Sequence, residues 1–156
     1  MIASFVRGLV AVALVAIAAP QPSFAGGDWN DKGIDWVSYE AGVAKAKEAK
    51  KPICLVFYTD WCPHCTNYAK IFHDEKIVEK AKSFVMVRVN KDQDAALSAK
   101  FKPDGEYIPR TYFLATDGVL DESLTENRPQ YKYFYHELDP ASLLGGMDRA
   151  LAKLAK

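Results

Sequence analysis

The sequence predicts an α/β fold, a central mixed β-sheet flanked by helices on both faces. Three observations predict it. Residues 53–59 (ICLVFYT) and 84–90 (FVMVRVN) are rich in β-branched and aromatic residues, as strands buried on both faces are. The stretches between them have helical character, which gives a β-α-β order. A third strand at 111–116 (TYFLAT) runs into Asp117-Gly118, a hairpin pair, before a last helix, so β-α-β is followed by β-hairpin-α.

The N-terminus differs from the rest. Arg7 precedes an apolar run from Gly8 to Ala19, Pro20 and Pro22 break it, and the small residues Ser23 and Ala25 follow. This is the layout of a signal peptide cleaved after Ala25, so 1–25 is expected as a leader and 26–156 as one domain. The run is shorter than the ~20 residues that span a bilayer, and no membrane association is expected after cleavage. The chain ends LAKLAK, without a KDEL-type signal, so a periplasmic or secreted destination is expected. Disulfides persist in such compartments.

Residues 26–36 (GGDWNDKGIDW) form a lead-in loop anchored by tryptophans. Ser38 caps a helix whose apolar stripe is Ala41, Val43 and Ala46, and which Pro52 ends. After the first strand, PHCTNYAKIF is a helix opening at Pro63, a residue suited to a first helical turn. DEKIVEKAK, from Asp74, is a second short helix, and DAALSAKF a third after the next strand. Lys102 to Arg110 is a turn cluster. Residues 131–139 (YKYFYHELD) are aromatic-rich, and part of that set is expected in the core. The last helix is capped by Asp139 with Pro140 in its first turn.

With 20 Lys+Arg against 20 Asp+Glu among 156 residues, the charge balance points to no nucleic-acid partner and no disordered charged tail. The length suits one core, and a monomer is expected.

The chemistry lies in TDWCPHCTNYAK, residues 59–70, which places Cys62 and Cys65 three positions apart. Three readings compete. A structural zinc site wants four ligands, and His64, His73 and His136 lack the spacing of a second pair, so neither a metal nor another cofactor is expected. A permanent crosslink here closes a tiny loop and constrains the unfolded chain little. A redox pair fits better, because Cys62 falls where a helix begins. Unpaired amides and the helix dipole favour an anion there, and the thiolate is the attacking species in disulfide exchange. Pro63 fixes φ in the first turn without removing a needed donor. His64, protonated or donating toward sulfur, adds to the stabilisation of a thiolate. Trp61 either shields the thiols or packs the strand end. Cys65, one turn further in, is the resolving thiol, and Cys54 is a small buried hydrophobe.

With WCPHC after an apolar strand and YIPR after PDG, the chain resembles the thioredoxin superfamily from about Asp35 to Leu154. The segments DWVSYEAGVAKAKEAKKP, FVMVRVN, KPDGEYIPR and YKYFY are similar to the small exported group that includes the endoplasmic-reticulum thioredoxin-domain and anterior-gradient proteins. The resemblance implies a thioredoxin fold and thiol:disulfide oxidoreductase activity on protein thiols of exported clients, with a redox partner to recharge the pair. It also implies that Pro109 is cis and lies beside the cysteines, with Ile108 offered to substrate by strand addition. Arg110 either aids docking or caps the strand.

Pro-His between the cysteines is the DsbA dipeptide. In DsbA the thiol ionises about five units below a free cysteine, roughly 7 kcal/mol in favour of the reduced form. That makes the disulfide a strong oxidant, so an oxidase direction is expected. One departure stands out. Thioredoxins carry a buried Asp six residues before the first cysteine to accept the resolving thiol's proton, and here that place is Val56. Glu40, Asp60 or water are left as substitutes. The rival readings are a reductase, a non-catalytic binding or chaperone module, and a metal carrier.

Overall fold

The computed structural model describes residues 27–155, so the expected leader at 1–25 lies outside the described residues. The elements are β1 (Trp36–Val37), α1 (Tyr39–Ala49), β2 (Ile53–Tyr58), α2 (Pro63–Ile71), α3 (Glu75–Ala81), β3 (Val85–Asn90), α4 (Ala95–Lys100), β4 (Arg110–Leu114) and α5 (Pro140–Leu154). The sheet order is β1-β3-β2-β4. β3 is parallel to β1 and β2, whereas β4 is antiparallel to β2, so the sheet is mixed.

Every residue of β2 and β3 is buried, and the two-residue repeat of a strand divides them between two cores. Cys54, Val56 and Tyr58 of β2 face one cluster with Cys65, Tyr68 and Ala69 of α2, Ile77 of α3, and Leu143 and Met147 of α5. Ile53, Leu55 and Phe57 face the other with Ala46 of α1, Leu97 of α4, and Tyr112. Each large side chain so buried contributes about 1.5–3 kcal/mol. That double burial is why the central strands are legible as unbroken apolar runs.

Local chemistry closes the helix ends. Ser38, Asp74, Asp94 and Asp139 each accept a backbone N–H at the start of α1, α3, α4 and α5, satisfying a donor that the helix leaves unpaired. α1 stops at Lys50, which takes a left-handed φ of 54° just before Pro52.

Three expectations are corrected. The lead-in loop contains β1, a two-residue strand registered on Met86 and Val87. Trp29 beside it is fully buried against Trp36, Tyr58, Tyr68 and Phe72, so the tryptophans do anchor the segment. On α1, Ala41 is exposed and Gly42 takes the inward place, because α1 lies so close to β3 that a Cβ on Gly42 would sit 2.3 Å from Val87 Cγ2. The hairpin after β4 shrinks to one bridge, Leu114 to Leu120. Its turn forms, with Gly118 at φ 86° and Ala115 N–H donating to Val119. The returning strand ends at once because Asp121 turns the chain by accepting from the Ser123 amide and hydroxyl.

Tyr133 and Tyr135 are core residues on opposite sides of the sheet, whereas Tyr131 is exposed. Tyr135 reaches inward because α5 has glycine at 146, where a Cβ would come within 2.4 Å of its ring. Among the described residues no helix is long and apolar enough to cross a membrane.

Candidate active site

β2 delivers the chain to Thr59, and a three-residue crossing of Asp60, Trp61 and Cys62 turns it into α2. Cys62 is the N-cap. Its backbone is extended, and its Sγ accepts the Cys65 N–H at 3.1 Å, the position a Ser or Asp oxygen takes at other helix starts. The Cys62 carbonyl accepts the Thr66 N–H at 3.1 Å and the Thr66 hydroxyl at 3.3 Å, so the turn is pinned from both sides. Pro63 occupies the first turn, where its missing N–H costs no helical bond.

Both sulfurs are thiols in this structure. Cys65 is completely buried, and Cys62 keeps a small exposed edge of 3%. Burial pushes the Cys65 thiol up, and its hydrogen bond with Cys62 pushes it further, with a bond to the Thr59 backbone opposing them. A thiol so protonated acts only after it is drawn toward a partner sulfur, which suits a resolving role. Cys54 belongs to the same core cluster, fully buried, and burial raises its thiol as well.

The Ile108–Pro109 peptide is cis, as the resemblance implies. β4 starts at Arg110 opposite Phe57, which sets Pro109 alongside Tyr58 at the end of β2 that leads to Cys62. Pro109 is buried, while Ile108 is half-buried and packs on the cluster holding both cysteines. Arg110 is fully buried. Its guanidinium donates to the Gly105 carbonyl and the Ser98 hydroxyl and lies 4.9 Å from the Phe57 ring centre. It thus ties the 102–109 turn to α4 and β2 rather than facing solvent.

Trp61 is 69% exposed, so it does not pack the strand end. Its indole N–H donates to Asp92 at 2.7 Å, which ties the ring to the loop after β3. His64 lies on the same helical turn as the cysteines, but its Nδ1 is engaged elsewhere, 2.7 Å from Glu137 Oε2. Its ring meets Phe134 edge-on at 6.1 Å. Glu137 also accepts from the Asn67 amide at 3.2 Å.

Val56 is buried among the cysteines, so the place of the missing Asp is apolar. Glu40 sits exposed on α1, and Asp60 accepts from Asn90 at 3.0 Å. The carboxylate whose charge reaches Cys65 is Glu137. The sequence gives no sign of this, since Glu137 lies 73 positions from His64 and in no recognisable pattern. With His64, Phe134 and Leu138 it lines an open cavity of about 540 Å³ beside α2. No group of three or more metal-ligating side chains occurs among the described residues.

The family described as thioredoxin-like matches residues 35–116. The human anterior gradient protein 2 homolog is 33% identical over 128 residues, covering 81% of this chain and 71% of that protein. A thioredoxin from Thermus thermophilus superposes with a TM-score of 0.62 at 18% identity, covering 78% of this chain and 89% of that one. A disulphide isomerase from Xylella fastidiosa Temecula1 superposes with a TM-score of 0.53 at 24% identity, covering 90% of this chain and all of that one.

Proposed function

This chain belongs to the thioredoxin-like family, and from that premise we propose that it is an exported thiol:disulfide oxidoreductase working through Cys62 and Cys65. The observation that carries the reading is the 3.1 Å bond from the Cys65 amide to the Cys62 sulfur at the start of α2, with the second thiol buried behind it. A backbone N–H held on sulfur steadies a thiolate, both as nucleophile and as leaving group.

Written in the oxidising direction, a client thiolate attacks the Cys62 sulfur of the Cys62–Cys65 disulfide. The S–S bond breaks, its electron pair stays on Cys65, and that sulfur takes a proton. A second client thiolate attacks the client sulfur of the mixed disulfide and releases Cys62 as thiolate. The client loses two electrons and the pair gains them. Ile108 offers backbone to a client segment, and the fixed indole of Trp61 flanks the approach. The partners are therefore protein thiols of exported clients and a redox protein that returns the pair to the disulfide.

The Pro63-His64 dipeptide supports the oxidising direction. A reducing direction is the second reading, favoured by one observation: the Nδ1 of His64 is committed to Glu137.

The test is single-turnover exchange between the oxidised protein and a peptide carrying two thiols. The peptide becomes a disulfide as the pair gains two thiols, and Cys62→Ser abolishes the reaction. Full activity in Cys62→Ser overturns the assignment.

A further inference from the structure

Glu137 reaches the active-site helix from the far end of the chain, two residues before the N-cap of α5. Its side chain is only 15% exposed, and its two oxygens take one partner each on α2. Oε2 meets His64 Nδ1 at 2.7 Å, and Oε1 accepts from Asn67 at 3.2 Å. His64 and Asn67 are three residues apart and so share a helix face. A carboxylate only accepts, so the hydrogen of that short contact sits on Nδ1 and is spent on Glu137. The edge contact with Phe134 holds the same ring from another side.

The other charged groups around this cavity are turned elsewhere. Arg128 donates to the Phe134 carbonyl and lies 5.0 Å from that residue's ring centre. Glu126 faces Arg149 at 3.9 Å, and His136 Nδ1 accepts the Leu138 amide at 3.2 Å. The carboxylate of Glu137 is thus held across the first two turns of α2.

We propose that Glu137 is a positioning residue that sets the redox poise of the pair: it holds His64 away from the Cys62 sulfur, and its own charge disfavours a second anion at the same helix start. The proposal rests on the thiol-exchange reading above. Its physical basis is twofold. A hydrogen bonded to a carboxylate is withdrawn from sulfur. Like charges near one helix terminus also compete for the same amide dipoles, and the charge of Glu137 is one of the influences that push the Cys65 thiol up, after burial and the bond to Cys62. Less stabilisation of the reduced form makes the disulfide a weaker oxidant. This chain is therefore less oxidising than its Cys-Pro-His-Cys sequence alone implies.

The experiment equilibrates the purified protein with glutathione redox buffers and reads the fraction of Cys62–Cys65 disulfide by alkylation and mass. Glu137→Gln keeps an acceptor for Asn67 and removes the charge. It shifts the equilibrium constant about tenfold toward the reduced pair, which is about 30 mV for a two-electron couple. Glu137→Ala shifts it the same way, and it serves as the second variant if the first folds poorly. His64→Ala has little effect in the native background but removes from Glu137→Gln the part of the gain that runs through the imidazole, leaving the part due to the lost charge. A shift of less than about threefold, a shift toward the disulfide, or an equal effect of His64→Ala in both backgrounds overturns the proposal. If the unmodified protein does not equilibrate with glutathione at all, the thiol-exchange reading fails first and this proposal with it.

Discussion

The backbone N–H of Cys65 points at the sulfur of Cys62 across 3.1 Å, so the first cysteine caps the helix on the main chain of the second, whose own side chain lies fully buried. The two sulfurs are thereby unequal before any chemistry begins. One keeps a narrow exposed edge and rests on a helix amide, and the other is fully buried as a protonated thiol.

That inequality predicts different products from the two serine variants. Cys65→Ser leaves an attacking sulfur with no resolving partner, so covalent adducts with client thiols accumulate on Cys62. Cys62→Ser forms none above background. Non-reducing electrophoresis with mass identification of the linked cysteine reads the outcome, and equal adduct levels in the two variants contradict the assigned roles.

Gly42 makes a packing prediction. Alanine has the better helix propensity by about 1 kcal/mol, yet its Cβ would lie 2.3 Å from Val87 Cγ2, a stiff side chain on the central strand β3. Overpacking costs about 1–3 kcal/mol, so Gly42→Ala destabilises the fold in a urea titration. A gain in stability would mean that α1 sits further from the sheet.

Arg110 links the 102–109 turn to the core by two hydrogen bonds and a ring contact. Arg110→Met leaves the Ser98 hydroxyl and the Gly105 carbonyl without that donor, and the expected loss is about 2–4 kcal/mol. Chemical denaturation measures it, and a change below about 0.5 kcal/mol contradicts a structural role for the guanidinium.

Asp121 gives a pH signature. Lys153, then Ser123, donate to its carboxyl and hold it below the usual carboxylate range. A depressed folded value means that the carboxylate stabilises the fold above the ordinary value of about 3.9 and that the stabilisation is lost as pH falls through the lower one. The group is near the surface, so the effect is under about 1 kcal/mol. Asp121→Asn is less stable than the native chain at pH 7 and indistinguishable from it at pH 2. A gap that persists at pH 2 contradicts the ion-pair account.

Much of this was legible in residue types because single features decide them. Ile53 to Tyr58 is buried on both faces, so no polar residue interrupts the pattern. Pro63 and the cysteine spacing mark the helix start that makes Cys62 an N-cap. What escaped depends on distance or closeness. β1 is two residues long and exists only because Met86 and Val87 pair with it. The inward place on α1 belongs to Gly42, which no hydrophobic pattern signals. The partner of His64 is Glu137, 73 positions away. A local reading aims the imidazole at the nearest sulfur, whereas the fold brings a carboxylate to it.

The measurement that bears most directly on the central claim is a redox titration of the intact protein with peptide mapping at each potential. Cys62 and Cys65 are expected to pass together, in one transition, from two thiols to one disulfide, while Cys54 stays a thiol throughout. The midpoint is expected nearer about −120 mV than about −270 mV. Two thiols that persist under every oxidising condition, or a disulfide that instead involves Cys54, would contradict the account.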